Sequence, residues 1–555
     1  MRTTTHHTSN GTRTDFDAIV IGAGFGGLYM LHKLRDELGL NVRVFDKAGD
    51  VGGTWYWNRY PGALSDTETY LYCYSFDREL LQEWQWNTRY VNQPSILAYL
   101  NHVADRYDLR RDITFETGIT AAHFDEATGT WAVETEHGET HTARYLVTAL
   151  GLLSATNVPN IAGRTSFEGE QYHTGAWPQD VDLRGKRVGV IGTGSTGIQV
   201  ITAIAPEVAQ LTVFQRTPQY SVPVGNGIVG DDEIAAIKAD YDNIWPRVKR
   251  SMTAFGFEES TVPAMSVSEE TRQDVFQRAW EAGGGFRFMF GTFGDIVTDE
   301  AANEAAADFV RQKIAEIVDD PETARKLTPR GYYAKRPLCD SGYYATYNRD
   351  NVELVDVKAN PIDEITARGI RTADGVEHEL DVIIFATGFD AVDGNYVKID
   401  LRGRGGESIR EHWADGPTSY LGVTVNSFPN MFMVLGPNGP FTNLPPSIET
   451  QVEWISDCIR ELESAGGGVI EATRAAESGW THTCQAIADE TLFAKGDSWI
   501  FGANIPGKKH SVMFFMAGLG AYREALGEVV EAGYRGFDVT LQRDVASPGM
   551  ATRIA

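Results

Sequence analysis

Two glycine-rich turns constrain the fold of this chain more than any other feature. Each follows a short apolar segment and precedes a segment with helical apolar spacing. The first glycine of such a turn permits a tight bend, the second lets a pyrophosphate approach the backbone, and the third lets the helix pack on the strand. The sequence therefore predicts an α/β fold with two Rossmann-like dinucleotide-binding domains. The six glycines are Gly22, Gly24 and Gly27 in the first turn and Gly192, Gly194 and Gly197 in the second.

The residue at the end of the second strand of each unit predicts which dinucleotide binds there. Asp46 follows Gly27 by 19 residues, and a carboxylate at that position accepts hydrogen bonds from an unphosphorylated ribose diol, as in FAD. In the second unit the same offset reaches Arg216, whereas alignment on Val-Phe reaches Gln215. Arg216 with the Thr217 hydroxyl would bind the 2′-phosphate of NADPH. The alternative is that Arg216 is only a solvated charge at a strand end.

Length and pattern predict how the chain divides. A chain of 555 residues exceeds what one hydrophobic core usually organises. We predict an FAD-binding domain from residues 1–150 and 390–555, and an NADP-binding domain from 151–229 and 336–389. Residues 230–335 read as a helical insertion in the NADP-binding domain. The first fourteen residues are polar and are predicted to be disordered.

Charge and cysteine content exclude several classes of function. A net charge of −27 repels nucleic acid and anionic lipid, and no apolar run is long enough to span a bilayer. The four cysteines include no Cys-x-x-Cys pair, which argues against a disulfide reductase and favours a cytoplasmic protein. His137 and His141 have metal-ligand spacing, but they flank a turn between strand patterns, so we predict no metal site.

Two longer motifs point to a family. Residues 167–178, FEGEQYHTGAWP, match F-x-G-x-x-x-H-x-x-x-W-P, and residues 52–66 match G-G-x-W-x(4)-Y-P-G-x(3)-D. Both resemble signatures of the type I Baeyer–Villiger monooxygenases, with the cyclohexanone monooxygenases as the most similar group. The resemblance extends over nearly the whole chain. It implies NADPH- and O2-dependent oxidation of a cyclic ketone to a lactone or ester through an FAD C4a-peroxide.

The resemblance also assigns catalytic residues. It implies that Arg336 stabilises the oxygen anion that attacks the ketone, because a guanidinium donates hydrogen bonds without losing its proton. Asp66 would orient Arg336 through a bidentate contact, and Lys335 would bind the NADP ribose phosphate. A plain interdomain salt bridge is the alternative for Arg336 and Asp66. His173 in the first signature is expected to have a structural role.

Further positions follow from the same resemblance. The additional cofactor-binding residues are predicted to be Thr54, Trp55, Ser195, Thr196, Gln199 and Trp499. The Met/aromatic segment 286–293 fits either a core or a substrate pocket. The predicted substrate-binding residues are Leu152, Phe255, Phe286, Leu435, Phe441, Thr442 and Leu444.

Two alternatives of function remain open at this stage. A flavin monooxygenase that oxidises nitrogen or sulfur would share both glycine turns, but the signature ending in Trp177-Pro178 and the Arg336–Asp66 pair separate it from the main prediction. A flavin- and NADPH-binding sensor or scaffold without turnover is the second alternative. The full set of catalytic groups argues against it.

Overall fold

The computed structural model describes residues 14–541, so the predicted disorder of the first fourteen residues falls almost wholly outside the described part. Within this part, the first sheet has eight strands. At its centre Phe16–Ile21 pairs in parallel with Val42–Phe45 and with Thr140–Thr148. Ala18, Ile19 and Val20 are fully buried, as expected for a strand covered on both faces. The other strands are Ile113–Thr114, Ile119–Asp125, Thr130–Thr135, Asp400–Arg402 and Met431–Met433.

The second sheet repeats the same parallel unit. Its central strand Arg187–Ile191 pairs in parallel with Gln210–Gln215 and with Val382–Phe385. Val352–Asp356 and Glu170–His173 extend the sheet at its two edges, also in parallel. The two sheets confirm the predicted α/β fold with two dinucleotide-binding units.

Helices cover both sheets and fill the segment between Pro223 and Leu338. That segment leaves the second unit after strand Ser221–Pro223 and returns at strand Leu338–Asp340, which pair in parallel. Its α-helices are Asp231–Ala239, Tyr241–Val248, Glu269–Ala282, Gly285–Gly291, Glu300–Ile317 and Pro321–Leu327. The other α-helices are Phe25–Leu31, Thr54–Trp57, Arg78–Glu83, Gln93–Arg106, Ser195–Ile204, Tyr343–Thr346, Ile409–His412, Leu444–Ser464, Arg474–Asp489 and Gly518–Glu531.

Short antiparallel and parallel pairs brace the loops around the two sheets. The pair Leu64–Glu68 and Tyr90–Asn92 carries Asp66, and the pair Gly439–Pro440 and Phe514–Phe515 joins two loops near the C-terminus. The remaining strands are Gly468–Ala472, Phe537–Leu541, Ile362–Ile365, Gly369–Thr372 and Glu377–Glu379. Among residues 14–541, none of the helices combines the length and the apolar character needed to cross a bilayer.

Candidate active site and cofactor-binding turns

The first glycine turn is packed too closely for side chains. A Cβ on Gly27 would lie 1.7 Å from the Gly22 carbonyl oxygen, and one on Gly22 would lie 2.4 Å from the Ala149 carbonyl oxygen. Gly24 faces Gly53 of the second signature, where a Cβ would meet the Gly53 Cα at 3.3 Å. Within the described chain, no side chain caps the helix that begins after Gly24, so its N–H groups are available to an anion.

Asp46 lies at the end of the second strand of this unit and is 9% exposed. Its Oδ2 accepts a hydrogen bond from the Ala23 N–H at 2.6 Å, and its Oδ1 accepts one from the Ala48 N–H at 2.7 Å. Burial raises the pKa of Asp46, and the two backbone hydrogen bonds oppose that rise. Each carboxylate oxygen keeps a further lone pair, so the residues present fit the ribose diol of FAD.

The second glycine turn is open where the first is closed. Gly197 resembles Gly27, because its Cβ would lie 2.4 Å from the Gly192 carbonyl oxygen. A Cβ on Gly194, in contrast, would meet nothing within 4 Å. Helix Ser195–Ile204 follows directly and lacks a side-chain cap in the described chain. The turn therefore leaves space and free N–H groups for a second pyrophosphate.

A cleft beside this turn gathers cations that the sequence predicted for NADPH. The cleft has about 1670 Å³ of empty space, part of it open to solvent, and its lining includes Arg216, Thr217, Lys335 and Arg336. Burial lowers the pKa of Lys335, Asp497 opposes this, and the neighbouring charges of Arg216 and Lys358 lower it further. A lysine whose pKa is lowered by two neighbouring cations fits a site for the 2′-phosphate of NADPH, which would offset their repulsion.

The strand register resolves the two alignments of the second unit. Ile21 pairs with Phe45 in the first unit, and Ile191 pairs with Phe214 in the second, so Gln215 occupies the position equivalent to Asp46. Gln215 is 1% exposed and donates from Nε2 to the Lys326 carbonyl oxygen at 2.8 Å. Arg216 is the next residue and is exposed at the cleft.

Arg336 and Asp66 meet in the structure as an ion pair. Arg336 Nη2 donates to Asp66 Oδ2, while Nη1 donates to the Pro337 carbonyl oxygen at 3.3 Å. The contact is therefore single, and the expected bidentate geometry is wrong, because the second nitrogen is directed to the chain's own carbonyl. Burial by itself lowers the pKa of Arg336, but the Asp66 carboxylate outweighs this and raises it, so the guanidinium stays charged.

A chain of aromatic contacts joins Arg336 to the predicted ketone pocket. The Arg336 guanidinium carbon lies 5.7 Å from the centroid of the Phe286 ring, and this ring stacks on Phe255 at 4.0 Å. Phe286 also lies 6.4 Å from Phe441. The series continues through Phe514, at 5.4 Å from Phe441, to Trp499, at 5.9 Å from Phe514. Phe255, Phe286 and Phe441 are thereby grouped beside the ion pair, and Trp499 joins the series through Phe514.

Other predicted residues are placed by different contacts. Leu152 accepts at its carbonyl from the Val392 N–H at 2.9 Å, and Leu435 donates its N–H to Gln451 Oε1 at 2.7 Å. These contacts do not place the two leucines against the aromatic rings. Thr442 hydrogen-bonds to Ser447, and Leu444 begins the following helix.

Trp55 is buried and donates from Nε1 to the Tyr72 hydroxyl at 3.1 Å. Thr54, beside it, is exposed.

The Gln199 side chain links the two units. Its Oε1 accepts from the Tyr60 hydroxyl at 2.7 Å, and its Nε2 donates to the Leu64 carbonyl oxygen at 3.0 Å. Both ends of the amide are thus bound to the first unit. Thr196 contacts the Thr174 hydroxyl at 3.1 Å, which ties helix Ser195–Ile204 to the segment after His173.

The two signatures also meet. The Trp177 N–H donates to the Trp57 carbonyl oxygen at 3.2 Å. His173 accepts at Nδ1 from the Gly175 N–H at 3.0 Å, and its ring lies edge-on to Phe389 at 5.9 Å. Burial lowers the pKa of His173. These contacts hold His173 at the carboxyl end of the edge strand Glu170–His173 of the second sheet.

Sequence reasoning missed several residues of the site. Lys358 follows strand Val352–Asp356, the neighbour of Gln210–Gln215, and the rule that ligands bind at the carboxyl ends of parallel strands could have found it. Asp497 comes from a distant loop and Phe514 from the short strand Phe514–Phe515, and no local motif signals either residue.

Comparison with known proteins identifies the family of this chain. Residues 17–223 match the family model described as flavin-binding monooxygenase-like. A Baeyer–Villiger monooxygenase of Pseudooceanicola batsensis is 64% identical over 94% of this chain and 95% of its own length. A phenazine N-monooxygenase of Lysobacter antibioticus is 58% identical over 95% of this chain and 97% of its own length.

A solved structure gives the same result for the whole fold. The cyclohexanone monooxygenase of Rhodococcus sp. Phi1 bound to NADP+ superposes with a TM-score of 0.94 at 65% identity, covering 96% of this chain and 100% of that one. Identity at this level over nearly the full length of both chains shows membership of the same family. The chain belongs to the Baeyer–Villiger monooxygenases within the flavin-binding monooxygenase-like proteins.

Proposed function

We propose that this chain uses FAD, NADPH and O2 to oxidise a cyclic ketone of the cyclohexanone type to a lactone. The observation that carries the proposal is the Arg336–Asp66 pair, which lies at the junction of the cation-lined cleft and the aromatic cluster. When bound, FAD reduced by NADPH activates O2 and supplies the oxygen atom. The residues of the chain bind the cofactors, orient the substrate and exclude water.

Arg336 supplies positive charge and N–H donors to an attacking oxygen anion. Its guanidinium keeps its protons, so it stabilises the anion without protonating it. Two of its N–H groups are used by Asp66 and Pro337, and the others are available to ligands. Asp66 is a positioning residue, because it holds the guanidinium in place and balances its charge. Because Arg336 makes a single contact with Asp66 and keeps N–H groups for a ligand, a role in oxygen transfer fits it better than a purely structural salt bridge does.

The aromatic rings supply the apolar surface for the ketone. The rings of Phe255, Phe286 and Phe441 lie close together. They would pack against the carbon ring of the substrate and exclude water from the reacting oxygen. Thr442 follows Phe441 in the loop and Leu444 begins the next helix, and we include both with Leu152 and Leu435 as lining residues. Trp499 would close the pocket over the nicotinamide.

The two glycine turns hold the cofactors. We assign the turn at Gly22, Gly24 and Gly27, with Asp46, Thr54 and Trp55, to FAD. The turn at Gly192, Gly194 and Gly197 would hold NADPH. Its supporting residues are Ser195, Thr196, Arg216, Thr217 and Lys335. We further propose the domain boundaries given above, a cytoplasmic location, and no nucleic-acid or membrane partner.

Oxidation of a heteroaromatic nitrogen is the second candidate, because the phenazine N-monooxygenase is 58% identical to this chain. Arg336 would affect the two reactions differently. An anion-stabilising guanidinium favours nucleophilic attack on a ketone, whereas N-oxidation needs an electrophilic oxygen. The Arg336–Asp66 pair therefore favours the ketone.

The test supplies the purified, FAD-loaded chain with NADPH and air, and then with cyclohexanone or with phenazine. We expect NADPH consumption to rise with cyclohexanone and the lactone to appear in proportion. Phenazine should give no N-oxide under the same conditions. N-oxide without lactone would reverse the assignment, and peroxide alone, with every cyclic ketone of a panel, would overturn it.

A further inference from the structure

Asn443 occupies a helix-capping position without capping the helix. It precedes helix Leu444–Ser464, and within the described chain its side chain makes no capping hydrogen bond. A capping side chain accepts from the N–H of the second or third helical residue. Those residues are Pro445 and Pro446, which have no N–H. The asparagine amide is therefore left for contacts with other segments.

The amide is buried and binds two segments that are distant in sequence. Asn443 is 1% exposed. Its Oδ1 accepts from the Thr67 hydroxyl at 3.1 Å, and its Nδ2 donates to the Ala254 carbonyl oxygen at 3.0 Å. Its main-chain N–H donates to the Thr253 carbonyl oxygen at 2.9 Å. One side chain thus joins the first unit, the helical segment and the loop that begins the long helix.

Each joined segment carries a neighbouring pocket residue. Thr67 follows Asp66, which holds Arg336. Ala254 precedes Phe255, whose ring stacks on Phe286 at 4.0 Å. Asn443 itself follows Phe441 and Thr442 in the chain.

The turn before Phe255 also needs support. Ala254 has a φ of 60°, a left-handed conformation that is unfavourable for a residue with a Cβ. Its N–H donates to the Ser251 hydroxyl at 3.0 Å, and its carbonyl is held by Asn443. Loss of the second contact would let this turn relax and shift the Phe255 ring.

We propose that Asn443 is a positioning residue that fixes the aromatic wall of the pocket relative to the Arg336–Asp66 pair. It thereby sets the orientation in which a ketone meets the reacting oxygen. The inference rests on the proposed function. It predicts that removal of the amide impairs product formation and its selectivity more than binding of either cofactor.

The test compares Asn443→Ala with Asn351→Ala. Asn351 also donates from Nδ2 to two carbonyl oxygens, those of Ala205 at 2.9 Å and Val208 at 3.0 Å, beyond the C-terminal end of helix Ser195–Ile204. Both variants should lower the thermal midpoint. Only Asn443→Ala should reduce lactone formed per NADPH, by roughly fivefold, and change the ratio of the two lactones from a ketone with unequal arms. FAD content and the KM for NADPH should stay within about twofold of the wild type.

A second pair isolates the hydroxyl contact. Thr67→Ser keeps the donor to Asn443 and should keep the lactone ratio, whereas Thr67→Val keeps the shape without the hydroxyl and should change the ratio in the direction of Asn443→Ala. Equal losses in both asparagine variants, with an unchanged lactone ratio, would show that Asn443 only stabilises the fold and would overturn the inference. A wild-type chain that forms no lactone would instead overturn the proposed function, and the inference with it.

Discussion

The two dinucleotide-binding units share a backbone design and differ at the end of the second strand. In the first unit Asp46 is nearly buried and both of its carboxylate oxygens accept backbone N–H groups. In the second unit Gln215 takes the equivalent position and turns to the Lys326 carbonyl, while Arg216 lies exposed in a cleft with other cations. The glycine turns show the same contrast, since Gly24 faces Gly53 whereas Gly194 faces open space.

This difference fits the proposed assignment of a retained cofactor to the first turn and of an exchanged cofactor to the second. A closed turn with a fixed carboxylate suits FAD, which remains bound through the reaction cycle. An open cleft with mutually repelling cations suits an anionic cofactor that is exchanged, because binding relieves the repulsion each time. The proposed reaction centre lies where the two units meet, since Arg336 lies just before strand Leu338–Asp340 and Asp66 belongs to the first unit.

The largest expected effect tests that meeting point. Arg336→Ala should lower the rate of lactone formation by at least about 100-fold, as removal of one anion-stabilising donor does in other enzymes. Arg336→Lys should be similarly impaired, because a lysine lacks the planar fork. Lactone yield and stopped-flow absorbance of the reduced enzyme mixed with O2 measure the effect.

Cofactor retention is the control for these variants. Both should retain FAD and bind NADPH, and Asp66→Ala should be milder because the arginine remains. Near-normal lactone formation by a folded, FAD-loaded Arg336→Ala would assign the ion pair to structure alone.

The glycine contrast gives the next largest effect. Gly194→Ala should fold normally, since its φ of −77° suits alanine and its Cβ meets nothing within 4 Å. The methyl group should instead obstruct the pyrophosphate and raise the KM for both NADPH and NADH by roughly 30-fold, equal to about 2 kcal/mol.

Gly27→Ala is the matched comparison in the first unit. Its Cβ would lie 1.7 Å from the Gly22 carbonyl oxygen, so this variant should fail to fold or lose FAD. The yield of soluble flavoprotein and steady-state kinetics distinguish the two. A Gly194→Ala protein with unchanged KM values would mean that the second turn does not receive the pyrophosphate.

The sequence predicted part of the contrast between the two units. The glycine spacing and Asp46 are local signals, because a turn and the strand after it lie within a few tens of residues. The roles of Arg336 and Asp66 were predicted from the resemblance to a family. Their contact, between residues 270 positions apart, is seen only in the fold. The single contact between them depends on the Arg336 side chain turning one nitrogen to Pro337.

Other parts of the site had no local signal. Gln199 could be placed on the helix after the second turn, but its hydrogen bonds to Tyr60 and Leu64 depend on how the two units pack. Asp497 approaches Lys335 from a loop more than a hundred residues away. Asn443 did leave a sequence signal, since an asparagine before Leu-Pro-Pro cannot cap its helix in the usual way.

A smaller effect should distinguish the charge of the second unit from its shape. Arg216→Ala should raise the KM for NADPH roughly tenfold and leave the KM for NADH nearly unchanged, because only NADPH carries the 2′-phosphate. The effect is modest for a charged contact because Arg216 is exposed to solvent. Steady-state kinetics with both cofactors measure the ratio. Equal loss for NADPH and NADH would mean that Arg216 supports the cleft instead of binding the phosphate.

The smallest expected effect is a pH dependence confined to the first unit. His412 lies between Glu477, at 2.8 Å from Nε2, and Glu407, at 3.2 Å from Nδ1. Burial by itself lowers the pKa of His412, but the two carboxylates outweigh this and the pKa lies above its ordinary value. A raised pKa in the folded state stabilises the fold below the ordinary histidine pKa, near 6.5, and this contribution is lost as the pH rises through the folded-state pKa.

His412→Gln removes that charge and tests its location. The wild type should be more stable than the variant at pH 6, by on the order of 1 kcal/mol, and the difference should shrink by pH 9. Thermal midpoints at the two pH values give the difference, and hydrogen exchange locates it. Protection should fall in helix Ile409–His412 and the adjoining helix Arg474–Asp489, which carries Glu477, and stay unchanged in the second sheet. Loss of protection in both sheets would mean that the two units unfold as one. The contrast between the two units would then be confined to their glycine turns.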